Sequence, residues 1–202
     1  MTAIEIGRLL RASTTGFVLG CRVMQLDKPF FGALVRVPQE HDYQIYGLVH
    51  DMRVEDDGLV RQLATVEFVD ESTVADNLQN RTTPVEISVL AVGYQRHTSI
   101  SHLLPPRPPL SLDLIYLCEP DELRGFTAEG RFGYFRHVLR AVDLPVSELL
   151  AAHLQQAQQA HAAAGNPGWI DAATQELITL LRDDYQTLMN VLAALSDVAK
   201  SR

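Results

Sequence analysis

Seven histidines, two cysteines and a scatter of serines and acidic residues are the side chains of this 202-residue chain that could do chemistry. The histidines are His41, His50, His97, His102, His137, His153 and His161, and only His97 and His102 lie close together in sequence. A zinc centre would need a His-Glu-x-x-His run or paired cysteines at short spacing, and neither occurs. Ser88, Ser99, Ser101 and Ser111 lie in or beside β-forming runs, but none sits in the Gly-x-Ser-x-Gly turn that presents a nucleophile. A phosphate-cradling loop needs a lysine behind glycines, and the two lysines, Lys28 and Lys200, follow no such loop. Glu55-Asp56-Asp57 lacks the alternation of a calcium loop and reads as a solvated turn before Gly58. Asp121-Glu122 and Asp183-Asp184 are adjacent, so on a helix their carboxylates diverge. The expectation is a non-enzymatic chain with no catalytic, cofactor-binding or metal-binding residues. A barrel enzyme would require histidines distant in sequence to meet in space.

Composition agrees with a globular protein of ordinary core size, with 47% apolar and 21% charged residues. Acidic residues outnumber basic ones by 25 to 17, a net charge of −8, which disfavours direct binding to a phosphate backbone. Cys21 and Cys118 sit in apolar runs and read as two reduced, buried thiols. The first residues lack a basic leader followed by an apolar stretch, and no apolar run approaches a membrane span. The expected location is the cytoplasm, without membrane association.

The elements that would position these side chains change character near residue 120. Residues 17–23, 32–38, 43–54, 85–94 and 112–117 are rich in β-formers and bounded by turn signals such as Asp27-Lys28-Pro29 and Glu55-Asp56-Asp57-Gly58. Internal glycines at Gly20, Gly47 and Gly93 mark bulges or bends where a sheet curls on itself. The expected fold class is α+β, a small antiparallel β-barrel of about six strands over residues 1–120 followed by a helical region over 121–202. A helical insertion is expected near 58–80, from the spacing of Leu59, Val60, Leu63 and Val66, either as a partner-binding excursion or as a lid over a barrel end. Leu104-Pro105-Pro106-Arg107-Pro108-Pro109 must be extended, because proline denies both helix and ladder hydrogen bonds. It reads as a strap between elements, or alternatively as a ligand for an SH3-type domain.

Helical periodicity takes over in the C-terminal part. Phe132, Phe135, Val138, Leu139 and Val142 predict one apolar face, broken at Asp143-Leu144-Pro145. A second helix is expected from about Val146 to Ala164, ending at Gly165, with Leu149, Leu150 and Leu154 as its large apolar residues. The second helix of the helix-turn-helix outline over 131–160 carries no basic residue besides histidines, which argues against a recognition helix. Asn166-Pro167 predicts the start of one long final helix carrying Ile170, Ala173, Leu177, Leu181, Leu188, Val191, Leu195 and Val198 in a heptad-like seam, interrupted by Asp184. Part of that seam is expected to stay uncovered, available either for oligomerisation or for packing on the barrel.

Ile6-Gly7-Arg8-Leu9 followed by Phe17, then Gly32-Ala33-Leu34-Val35-Arg36-Val37, Ile45-Tyr46-Gly47-Leu48-Val49, Ser88-Val89-Leu90-Ala91-Val92-Gly93-Tyr94 and the proline segment, occur in an order that resembles HAS-barrel domains. Those small barrels open HerA-type ATPases and the catalytic-ring subunits of rotary ATP synthases. The resemblance spans about the first three-fifths of the chain and makes Gly7, Gly32, Gly47, Gly93, Pro105 and Pro108 fold-defining. It departs where the family's P-loop domain should follow, since helices without a P-loop come instead. The resemblance therefore implies the family's assembly role without hydrolysis: an adaptor acting in trans with a HerA-type ATPase or a nuclease in DNA processing. The rival expectations are a self-associating structural protein and a subunit that binds DNA directly. The expected protein-interface residues are Leu177, Leu181, Leu188 and Leu195 on the tail and Arg107 on the barrel, the last either as a free contact or in a surface ion pair.

Overall fold

The computed structural model describes residues 3–22, 28–54 and 84–200. Seven strands occur among them: β1 (Glu5–Ala12), β2 (Gly16–Arg22), β3 (Leu34–Gln39), β4 (Tyr43–Val54), β5 (Pro84–Arg96), β6 (Ser99–Ser101) and β7 (Leu114–Leu117). Five α-helices follow: α1 (Pro120–Ala128), α2 (Phe135–Leu139), α3 (Val146–Ala163), α4 (Trp169–Leu180) and α5 (Tyr185–Lys200), with a 3-10 turn over Gly130–Phe132. The helical insertion expected near 58–80 and the acidic turn before it lie outside the described residues.

All strand pairs are antiparallel, in the order β2-β1-β7-β3-β4-β5-β6, and β2 also pairs with β5. That extra pairing, from Gly16 opposite Leu90 to Arg22 opposite Pro84, closes six strands into a barrel and leaves β6 as a short flap on β5. The α+β architecture of a small barrel followed by helices is therefore what the chain adopts. Closure removes free edges, which would otherwise template pairing with other chains.

Two apolar layers explain why the central strands read as near-continuous hydrophobic runs. Ile6, Leu9, Phe17, Leu19, Val35, Val37, Ile45, Val49, Val85, Ile87, Val89 and Ile115 fill the barrel. The alternate residues Leu34, Tyr46, Leu48 and Val92 face outward into a second core made with the helices. β1 has no such cover on its outer face, so Leu10 is exposed there. The glycines make room for this packing. A Cβ on Gly47, where the β4–β5 register shifts, would lie 2.3 Å from Val89 Cγ1. Gly32 adopts φ +79°, and a Cβ there would lie 2.8 Å from both Ala152 Cβ and His153 N of α3. At Gly7 and Gly93 an added Cβ would meet a carbonyl oxygen, of Gly20 and Ser101 respectively. Pro105 is buried and Pro108 half-buried, as expected of a strap held against the barrel.

The helices pack on the barrel of the same chain. α1 opens with a capping box, in which Glu119 N–H donates to Glu122 Oε2 at 2.9 Å and Pro120 occupies the first turn. Glu122 also approaches Arg36 Nε of β3 to 2.7 Å, an ion pair whose angle falls outside hydrogen-bond geometry. On α3, Leu149, Leu150, Leu154 and Ala157 are fully buried, sharing the second core with Trp169, Ala173, Leu177, Leu181 and Val191. Gly165, at φ +84°, ends α3 where the sequence places its stop.

Three expectations for this region are corrected. The long final helix is two, α4 and α5, separated at residues 181–184. Asp184 is less an interruption of a seam than a new start, because its Oδ1 accepts from Thr187 N–H at 3.1 Å, as an N-cap does. Asn166-Pro167 does not begin α4; Gly168 is its N-cap, and Asn166 N–H instead donates to His161 O at 2.9 Å to close α3. The apolar face from Phe132 ends at Leu139, because α2 stops there, and Val142 is 82% exposed.

Candidate functional site

Four histidines distant in sequence lie where the helices meet the barrel, two of them, His102 and His153, against Tyr134 just before α2, with His137 bonded to His102 O and His161 to Thr127 of α1. The rings of His102 and His153 lie 5.0 and 5.4 Å from that of Tyr134, and His102 lies 4.6 Å from Phe126. Sequence spacing gives no sign of this gathering, because it is made by folding α2 and α3 back over the barrel.

Hydrogen-bond partners fix the tautomers. Gly32 O can only accept, so His153 Nδ1 carries a proton and donates at 3.2 Å, and Nε2 accepts from the Tyr134 hydroxyl at 3.1 Å. His102 Nε2 likewise donates to Phe126 O at 3.0 Å, which leaves its Nδ1 bare, buried and without a partner, against Gly130. The Thr127 hydroxyl donates to Leu123 O at 2.8 Å, so His161 Nε2 donates to Thr127 Oγ1, also at 2.8 Å. His161 stacks on Trp169 with ring centroids 4.5 Å apart. His137 Nε2 and Arg136 both donate to His102 O.

Burial disfavours the charged form throughout this junction. It pushes His153 down to about 4, against an opposing contribution from Gly32 O. Burial also lowers His102, His137 and His161, and raises the Tyr134 hydroxyl. Burial holds these imidazoles neutral against their carbonyl partners, and their hydrogen bonds join α1 to α3 through His161 and Thr127, α3 to Tyr134 and Gly32 through His153, and α1 to the segment after β6 through His102. Among the described residues, no group of three or more His, Cys, Asp or Glu stands close enough to hold a metal ion. Cys21 is buried and Cys118 half-buried, both as free thiols, and burial raises both.

The tail residues expected at an interface lie elsewhere. Leu177 is fully buried and Leu181 nearly so, inside the second core, while Leu188 and Leu195 are half-buried against it. Leu177 and Leu181 are therefore covered by the chain's own packing, and Leu188 and Leu195 in part. Among the described residues, the exposed large apolar side chains of α4 and α5 are the seam's neighbours Ile178, Leu180, Tyr185 and Met189.

Arg107 is placed differently. It is exposed, pairs with no carboxylate among the described residues, and lines a cleft of about 450 Å³ at one end of the barrel with Arg96, His41, His97, Tyr43, Glu40 and Pro106. Two hairpin tips build this rim: residues 40–42 join β3 to β4, and 97–98 join β5 to β6. His97 N–H donates to Asp42 O at 2.7 Å and fastens one tip to the other. Arg96 lies over the Tyr43 ring at 5.9 Å. Tyr43 is 7% exposed and its hydroxyl has no hydrogen-bond partner. Burial raises that hydroxyl, Tyr94 adds to the effect, and the charges of Arg107 and Arg96 oppose it. Beneath the tips, Tyr46, Gln44 and Gln95 form a closed set of hydrogen bonds of 2.6–2.8 Å that holds β4 to β5.

No protein-family model matches this sequence, and no curated protein matches it. No helix among the described residues is long and apolar enough to cross a membrane.

Proposed function

We propose that the chain is a non-catalytic assembly module that works by binding another protein, a HAS-like barrel acting in trans with a HerA-type ATPase or a nuclease. One observation carries the reading. Each buried histidine is bonded to a partner of its own chain, with only His102 Nδ1 left bare against Gly130, whereas the hairpin rim of the barrel gathers two exposed arginines into one cleft. The sequence order of the strand motifs and the proline segment resemble HAS barrels, and the lack of a glycine-rich lysine loop in these residues favours an accessory role.

The test is capture of tagged full-length chain from its native cells, with bound proteins identified by mass spectrometry. Stoichiometric recovery of an ATPase of this class or a nuclease is expected, and recovery of the chain alone contradicts the reading. A second reading, self-association, is favoured by exposed Ile178, Leu180, Tyr185 and Met189 at the α4–α5 corner. Light scattering on the isolated chain separates the two, since only self-association requires a defined multimer.

A further inference from the structure

The rim cleft brings together two arginines from separate elements of the fold. Arg11, Arg36, Arg53, Arg124 and Arg182 each approach a carboxylate, at 2.7–3.2 Å. Arg96 and Arg107 have no such partner among the described residues, nor do Arg8, Arg131, Arg136 and Arg140, but only these two line one cleft with each other. Arg96 comes from the end of β5 and Arg107 from the proline strap, so their meeting is a product of the fold. Tyr43, more than nine-tenths buried, lines the same cleft with its hydroxyl unpaired. A buried hydroxyl without a partner costs roughly 1–3 kcal/mol unless something bonds to it.

The surroundings indicate the shape of an occupant. A second cleft of about 480 Å³ shares Glu40 and Arg107 with the first and continues along Pro38, Pro108 and Leu110. Together they form a track with proline and leucine walls, where Asp113 is already bonded to Gln39 and to Leu110 N–H, and with two guanidinium groups at one end. Arginine presents a planar fork that fits carboxylates in pairs of hydrogen bonds.

We infer that this track docks an extended acidic peptide segment of a protein partner, with a carboxylate held by Arg96 and Arg107. The inference rests on the reading of the chain as a protein-binding module. Glu40 and Asp42 stand at the same hairpin tip, with Glu40 3.9 Å from His41, so the rim opposes densely charged polyanions. The net charge of −8 acts in the same sense against nucleic acid.

The experiment is fluorescence anisotropy with the full chain and a labelled proline-rich octapeptide carrying a single Glu. Saturable binding that weakens with added salt is expected. Arg96→Ala combined with Arg107→Ala should lower affinity about tenfold or more. Arg182→Ala, on an exposed arginine of the helical region, should leave binding unchanged. Circular dichroism of each variant checks that the fold is kept. No saturable binding up to about 1 mM peptide, or equal binding by the double arginine variant, overturns the inference. Tighter binding of a single-stranded oligonucleotide through the same two arginines also overturns it. If the double variant still captures the wild-type partner from cells, the docking site is wrong while the assembly reading stands. Arginine-dependent peptide binding with no partner captured supports the site and removes the assembly reading.

Discussion

Replacing His153 with glutamine should change how stability depends on pH, by an amount that the structure fixes. In the folded chain the imidazole is fully buried between Gly32 O and the Tyr134 hydroxyl, and its pKa falls from 6.5 to about 4. As pH drops through 6.5 the unfolded chain takes up this proton, while the folded chain does not until about 4. The stabilisation linked to neutral His153 is therefore complete above 6.5, shrinks as pH falls, and is gone near 4. A shift of this size corresponds to about 3 kcal/mol in all, of which about 2 kcal/mol is lost between pH 8 and pH 5. Glutamine does not titrate, so the variant starts less stable at pH 8 and the gap narrows by about 2 kcal/mol at pH 5. Urea denaturation followed by circular dichroism at both pH values measures the gap. His50, His102, His137 and His161, whose values burial also lowers, titrate in both proteins and cancel in the difference. Stopping at pH 5 keeps clear of Glu86 and Asp184, which hydrogen bonds hold below the usual carboxylate range. Parallel profiles for wild type and variant would refute the buried, neutral state of this histidine.

Leu177→Ala should cost about 3 kcal/mol of unfolding free energy, because a fully buried leucine leaves a cavity, whereas the neighbouring Ile178→Ala should cost about 0.5 kcal/mol or less. Equal costs in urea titrations would mean that the seam does not face the chain's own core. Gly32→Ala should destabilise by about 2 kcal/mol or more, through its left-handed backbone and the collision with Ala152 and His153, and a midpoint matching wild type would contradict that close approach.

The barrel was legible in the sequence where alternation is clean or the run is long. β4 begins and ends where its β-forming run does, at Tyr43 and Val54. β1 is harder to read from periodicity because register shifts at Glu5/Gly7 and Leu9/Arg11 break its period of two. β6, at three residues, is too short to carry a pattern. On the helical side Gly165 was a dependable stop, since its φ of +84° suits glycine. The break between α4 and α5 was hidden because Leu177, Leu181 and Val191 all reach one core although they lie on both sides of a turn. Asp184 followed three residues later by Thr187 was the available cue, an N-cap inside an apparently continuous seam. The rim cleft was half legible: Arg107 stood out between prolines, but only the fold brings Arg96, Tyr43 and two hairpin tips to it. The placing of His102 and His153 against Tyr134 depends wholly on tertiary packing.

The central claim is that the chain acts through protein contact and performs no hydrolysis itself. The most direct test measures ATP turnover for the purified chain, for the ATPase it captures, and for the two mixed. The account predicts no turnover by the chain alone and a changed rate, at a saturating ratio, on mixing. Turnover by the chain alone, or a mixture whose rate equals that of the ATPase by itself, would contradict it.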